Sequence, residues 1–391
     1  MNDARISRVL LVLFAVDRLL KVLAVEHFFR RRPPPEPAAW PSVTLLQPIT
    51  RGAGHLPRAL WSRLLLDYPG PLQHILICDA ADRPSRDVVD RFLADAPDGL
   101  NGVVVEVAPD AGQVASKVSK LQAGLVHARG EILVFVDDDV TVPPEALRVL
   151  VRHLLRPGVG ATFGLARYTT WHDLPSGLMS AFVNANALLS YIPLCYLADP
   201  FTITGHLYAL RHDTFAAVGG LAGMAGRIDD DHELARRIRA HHLHAVQTPL
   251  IYDVDNDLPA LRDYAAQMKR WFVIPRETML PGLGRWERTA SALGSIGTFV
   301  PALQALVALL CRTGPAARAL GACLALFYAV YAWCDLRYLD RVTPLRRWPL
   351  VPLSAVIAPG QIAAALLGSS EITWRGQRLR IVRGGRFEVL R

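Results

Sequence analysis

The sequence predicts a mixed α/β domain built on a parallel sheet and flanked at both ends by membrane helices. Three observations predict it. Short apolar runs alternate with helical patterns from residue 42 to residue 136, the signature of βαβ units. Two of those runs, 74–78 and 132–136, end in carboxylates, Asp79 with Asp82 just beyond, and Asp137-Asp138-Asp139. Open α/β sheets bind their ligands at such strand ends. Finally, apolar stretches at 6–29, 293–311, 319–334 and 349–367 approach the roughly 20 residues that a spanning helix needs.

The run 132–136 organises the rest. It is unbroken, rich in β-branched and aromatic residues, and preceded by Gly130, as expected of a strand buried on both faces. On an extended strand end Asp137 and Asp139 project to one side. Two hard oxygen ligands there suit Mg2+ or Mn2+ carrying a substrate diphosphate. A solvated acidic turn that merely ends the strand explains the triple equally well in isolation. Upstream, the pattern gives strands at 42–47, 74–78 and 103–107 and helices at 57–66, 88–93 and 116–127. No G-x-G-x-x-G follows the first strand and no G-x-x-x-x-G-K-[ST] occurs, which argues against a Rossmann dehydrogenase and a P-loop NTPase. Carboxylates, a metal and Lys117 can still hold a nucleotide.

Downstream, 201–210 reads as a strand with a close backbone approach, followed by a break at Gly219-Gly220. Residues 228–233, Ile-Asp-Asp-Asp-His-Glu, run into a helix at 234–240. Acidic residues at a helix start suit the macrodipole. The sharper alternative is a general base, an Asp that takes a proton from an acceptor hydroxyl. The stretch 261–273 is an amphipathic helix that brings Gln267, Arg270 and Trp271 close together; an interfacial helix with snorkelling cations gives the same pattern.

Composition narrows the partners. The chain is 51% hydrophobic with a net charge of +8. Aromatic-basic nucleic-acid motifs are absent, and much of the basic excess lies beside apolar segments, which favours the cytoplasmic face of a membrane. The five cysteines are scattered without a C-x-x-C pair, so neither a zinc site nor a disulfide framework is expected. The first apolar stretch precedes Arg30-Arg31-Arg32 and a proline-rich linker and reads as an anchor ending in the cytoplasm. Its four charges, Asp17, Arg18, Lys21 and Glu26, must snorkel, pair, or lay the helix along the interface. Pro352, Pro359 and Gly360 make the last stretch a candidate for a broken or re-entrant segment. The expected layout is an anchor at 1–32, a catalytic domain at 41–260, an interfacial segment at 261–291, membrane helices at 292–370 and a basic cytoplasmic tail at 371–391.

Taken together, the order is strand-Asp, Lys, strand-D-D-D, D-D-D-H at a helix start, then Gln267-Met268-Lys269-Arg270-Trp271 before membrane helices. This resembles the membrane-bound family 2/21 glycosyltransferases, and within them the ceramide glucosyltransferase branch with its hopanoid-pathway relatives. Further likeness lies in 116–121, in 202–207 with Arg211 and Gly219-Gly220-Leu221, and in the tail from Trp374. The resemblance implies a GT-A fold on the cytoplasmic face of a multi-pass protein, and inverting transfer from a UDP-sugar to a lipid hydroxyl with Mg2+ or Mn2+. It implies Asp79 or Asp82 on the uridine, and Lys117 and Arg270 on the diphosphate. Asp137 and Asp139 would hold ribose and metal, with Asp231 as catalytic base. Thr204, Gly205, His232, Gln267 and Trp271 would line the acceptor pocket. The chain departs from the pattern at Ala115 and Ser119-Lys120, where asparagines are expected, and at His232, where tyrosine is usual. A processive polysaccharide synthase and a UDP-sugar-binding scaffold without transfer are the competing classes. The first would need a polar-lined pore, and the second predicts a lost carboxylate.

Overall fold

The computed structural model describes residues 3–50, 52–96, 100–108, 116–374, 376–382 and 384–390. Ala115 and the tail positions Arg375 and Arg383 lie outside the described residues. The chain divides into two compact units, one of residues 1–31, 167–198 and 256–373, the other of 32–166, 199–255 and 374–391.

The second unit is built on an eight-stranded sheet among the described residues. Its strands are β1 (Val43–Pro48), β2 (Leu72–Asp79), β3 (Asn101–Val107), β4 (Ile132–Val136), β5 (Val140–Thr141), β6 (Val159–Tyr168), β7 (Leu207–Arg211) and β8 (His244–Val254), in the order β3-β2-β1-β4-β7-β6-β8-β5. The β3-β2-β1-β4 half is parallel, as the alternation of apolar runs and helical patterns predicts. From β7 onward the sheet turns antiparallel, with Val136 opposite Leu207. Every side chain of β4 is buried. Phe135 stacks on Tyr208 across the ladder at 4.8 Å between ring centroids.

With helices numbered along the whole chain, α2 (Leu56–Leu64), α3 (Arg83–Ala94), α4 (Ser116–Leu125), α5 (Ala146–Leu154), α7 (His212–Ala217) and α8 (Asp230–Ala240) belong to this unit. Strands β10 (Gln377–Ile381) and β11 (Phe387–Leu390) pair antiparallel beyond β9 (Glu371–Trp374).

One expectation changes at the end of β4. The strand stops at Val136 and residues 137–140 form a turn closed by the Val140 amide donating to the Asp137 carbonyl at 3.4 Å. The two-residue alternation therefore does not order Asp137 and Asp139. The turn arises because backbone donors and acceptors here find partners outside the ladder. The Asp137 amide donates to the His206 carbonyl at 2.9 Å, the Thr50 amide donates to the Asp138 carboxylate, and the Asp255 amide donates to the Asp139 carbonyl at 3.0 Å.

The other unit is helical, made of α1 (Asp3–Arg30), α6 (Leu174–Leu194), α9 (Leu261–Thr278), α10 (Arg285–Cys311), α11 (Gly314–Arg337) and α12 (Leu350–Leu367). Among the described residues, α6, α10, α11 and the segment containing α12 are long and apolar enough to cross a membrane. Helix α6 lies inside the stretch 41–260 read as one catalytic domain, yet it belongs to the helical unit. Helix α12 is continuous where a break was expected. Pro352 stands in its first turn, where no amide donor is required.

The mid-helix charges of α1, Asp17, Arg18 and Lys21, face inward. Asp17 pairs with Arg18 at 2.7 Å and with Lys21 at 3.1 Å, and Lys21 also donates to the Gly294 carbonyl at 2.7 Å. A Cβ at Gly297 on α10 would collide with the Asp17 carboxylate. Val12, Val16, Leu19 and Leu23 are exposed instead. Ionisable residues inside a helix bundle pair and turn away from lipid in this manner.

Candidate active site

Lys117 sits in the first turn of α4 and ties two strand ends together. Its ammonium pairs with Asp137 Oδ1 at 2.6 Å and donates to the Gly205 carbonyl at 2.8 Å. Burial works against the ammonium's charge, but Asp137 and Asp230 outweigh it and hold the Lys117 pKa well above its ordinary range. Gly205, in the loop that enters β7, approaches Asp231 so closely that an added Cβ would lie 2.8 Å from Asp231 Oδ2. The structure thus brings together Lys117, Asp137, Gly205 and Asp231. Thr204 stands half-exposed in the same loop. Asp139 is almost fully buried on the turn after β4.

The acidic run at the start of α8 divides by partner. Arg227 donates Nε and Nη2 to the two oxygens of Asp229 at 3.0 Å each, a two-point fork of the strong kind. Glu233 is held by Arg236, Arg237 and Arg227, and the Arg236 hydrogen bond leads in drawing its pKa down to about 2. Both carboxylates are occupied in holding structure. Asp231 is not. It accepts the His232 amide at 2.7 Å, while burial and the adjacent Asp230 push its pKa up to about 7. Burial also raises the carboxyl of Asp230, with the Lys117 ammonium opposing. A carboxylate that titrates near neutrality is suited to proton transfer. The macrodipole explanation therefore covers only part of the run.

Asp79 and Asp82 also differ in duty. Asp82 is the N-cap of α3, accepting from the Ser85 amide at 3.2 Å and the Ser85 hydroxyl at 2.6 Å with its two oxygens. Asp79 ends β2, and its Oδ1 accepts the Ala81 amide at 3.0 Å. His232 Nδ1 lies 3.0 Å from the Phe201 carbonyl. A carbonyl only accepts, so Nδ1 carries a proton, and burial lowers the ring's pKa.

Gln267, Arg270 and Trp271 lie on α9, in the helical unit. Within it, Trp271 meets Tyr168 edge-on at 6.1 Å, and the helix is anchored by Tyr264 donating to Gln361 at 3.0 Å and Arg276 donating to the Gly368 carbonyl at 2.7 Å. A cleft of about 600 Å³ in the sheet unit, lined by Trp40, Arg129, Glu131, Arg211 and His212, lies at the start of β4 and holds none of the expected site residues. Arg227 carries no signal in local spacing, and Gly385 stands out in the sequence only as part of the tail likeness from Trp374, with no role attached; an added Cβ there would collide with Asp229.

The mixed sheet with carboxylates at its strand ends is similar to a solved glycosyltransferase. That structure is the mannosyltransferase PcManGT from Pyrobaculum calidifontis in complex with GDP-Man and Mn2+. Identity is 20%, the match covers 93% of this chain and 99% of that one, and the TM-score is 0.55. No curated protein matches the chain. The model of glycosyl transferase family 21 matches residues 9–387, and the chain belongs to that family.

Proposed function

We propose that the protein is an inverting GT-A glycosyltransferase that moves a hexose from a UDP-sugar to the hydroxyl of a membrane lipid such as ceramide or a hopanoid. The observation that carries this reading is the convergence on Asp231. A carboxylate that titrates near neutrality lies against Gly205, whose carbonyl holds the Lys117 ammonium paired with Asp137. In the reaction Asp231 takes the proton of the acceptor hydroxyl as the hydroxyl oxygen bonds to the anomeric carbon. The bond from that carbon to the diphosphate oxygen breaks on the opposite side, and UDP leaves with the electron pair. Lys117 is assigned to the diphosphate, where fixed positive charge stabilises the charge developing on the leaving group. Arg270 is assigned the same role. Asp79, the carboxylate not engaged as a helix cap, is assigned to the uridine. Thr204, Gly205 and His232 are assigned to the acceptor side of this site, and Gln267 and Trp271 of the helical unit keep the acceptor role that the resemblance implies, with Trp offering an apolar wall and a polar edge.

A divalent cation fits the donor set on chemical grounds. Among the described residues no three His, Cys, Asp or Glu side chains are grouped to hold a metal. Asp137 and Asp139 supply two carboxylates, and Mg2+ commonly takes one or two carboxylates with substrate phosphates and water completing its shell. Such an ion supplies Lewis-acid stabilisation of the diphosphate. The long apolar helices would place the protein as a multi-pass membrane enzyme, with its sheet unit on the cytoplasmic face beside the basic tail.

The test uses membranes containing the protein and radiolabelled UDP-sugars. GDP-mannose is included because the similar structure holds that donor. Ceramide or bacteriohopanetetrol serves as acceptor, with and without EDTA. EDTA-sensitive label in the organic phase from a UDP-sugar is the expected result. Label from GDP-mannose alone overturns the donor assignment. Label only in an insoluble polymer overturns the lipid acceptor in favour of a polysaccharide synthase, and donor binding without any transfer overturns the enzyme reading.

A further inference from the structure

The start of α8 is held by residues from the far end of the chain. The Ile228 amide donates to the Gly385 carbonyl at 3.1 Å, and Arg227 and Arg386 form an isolated antiparallel bridge. The Val382 amide donates to the Arg386 carbonyl at 3.0 Å, so the turn between β10 and β11 is itself closed. Gly384 and Gly385 both adopt the left-handed conformation, at φ +87° and +79°, which glycine takes at no steric cost. They differ in surroundings. A Cβ at Gly384 would meet nothing within 4 Å, whereas one at Gly385 would collide with both carboxylate oxygens of Asp229. Asp229 is 2% exposed, seated by the Arg227 fork, and its carbonyl accepts the Glu233 amide at 2.9 Å, the first rung of α8. Asp231 follows within that same turn.

We infer that the tail segment Gly385-Arg386 is a positioning element for the base. It fixes the seat of Asp229 and through it the first turn of α8, which aims Asp231 at the acceptor. Gly385 is required at this point because the Asp229 carboxylate fills the space a side chain would take. The basic tail then has a role besides attraction to a membrane surface. This inference rests on Asp231 being the base, but the mechanical link between the tail turn and the helix start stands on contacts within the sheet unit alone.

The paired variants Gly385→Ala and Gly384→Ala test it, since both impose the same unfavourable φ and only one pushes on Asp229. Gly385→Ala is expected to lower kcat about ten- to a hundredfold, the scale of a small displacement of a catalytic group. Donor KM should stay within about twofold, as for an interaction made only in the transition state. Gly384→Ala should leave both constants within about twofold of wild type. Arg227→Lys, which keeps the charge but loses the two-point fork, is a milder second variant and should lower kcat in the same sense. Amide hydrogen exchange over 228–233 should accelerate in Gly385→Ala and not in Gly384→Ala. Equal effects of the two glycine variants overturn the proposal, as do a loss confined to KM or wild-type kcat in both Gly385→Ala and Arg227→Lys. If the wild-type protein transfers no sugar, the enzyme reading fails separately. The exchange comparison then decides the link, and identical protection in the two glycine variants refutes it.

Discussion

Replacing Asp231 by Asn should separate the chemistry of the site from its stability, in opposite directions. Burial and the neighbouring Asp230 lift the Asp231 carboxyl from 3.8 to about 7. The folded protein therefore holds that proton more tightly than the unfolded chain does. Stability is then greatest below the unfolded pKa, declines as pH rises toward 7, and stays at its lower level above. At about 1.4 kcal/mol per pH unit, the lift corresponds to a cost of about 4 kcal/mol at pH 8. Asn keeps an oxygen for the His232 amide, which donates to Asp231 Oδ1 at 2.7 Å, and carries no charge to desolvate. The variant should thus be more stable than wild type at pH 8 and indistinguishable near pH 4. With about 2–4 °C per kcal/mol for a domain of this size, a rise in Tm on the order of 10 °C at pH 8 is expected.

Activity should move the other way. Loss of a general base typically costs about 10²- to 10⁴-fold. In wild type, kcat/KM should fall about tenfold per pH unit below 7, because that profile reports the free enzyme's base. Thermal unfolding across pH 4–8 and initial-rate transfer assays read both quantities. A flat kcat/KM from pH 5 to 8, or an Asn variant that is less stable at pH 8 and still active, would refute the assignment. Such a site gives up stability for a poised carboxylate, a known trade-off at active sites.

Three further outcomes are expected. Gly205→Ala places a Cβ 2.8 Å from Asp231 Oδ2 and should lower kcat about ten- to a hundredfold; unchanged kcat in a transfer assay would remove the close approach from the mechanism. Asp82→Ala should cost about 1 kcal/mol through the lost α3 cap and leave donor affinity unchanged, while Asp79→Ala should weaken donor binding by calorimetry; the reverse pattern would exchange their assignments. Asp17→Ala strands two nearly buried cations, Arg18 and Lys21, and should cost about 3–5 kcal/mol. An unaltered unfolding temperature in detergent would show that the triad holds nothing.

How far the sequence could be read depended on whether the deciding partner was local. The parallel half of the sheet was legible because its strands are short apolar runs punctuated by helices, and β4 falls where the periodicity puts it. Helix α6 escaped because Ser176, Ser180, Asn184 and Asn186 dilute its hydropathy. Ser180 donates to the Thr170 carbonyl and Asn184 to the Tyr168 carbonyl, partners that lie before the helix begins, while Ser176 donates to Asp173 and Asn186 to the Phe182 carbonyl a turn back. The charges of α1 were visible, but the inward direction of Asp17, Arg18 and Lys21 depends on Gly297 of α10 leaving room for Asp17. The same holds at α8. Three consecutive aspartates look alike in sequence, and what separates them is Arg227 on one side, Lys117 on another and Gly385 at the end of the chain. Asp229 becomes a structural anion because it has a fork to bind; Asp231 keeps a poised proton because it is buried beside a second carboxylate, Asp230. The chemistry of the run is thus set by which carboxylate the fold pairs with a guanidinium and which it buries beside another carboxylate, and the pairing is made by contacts that spacing alone does not reveal.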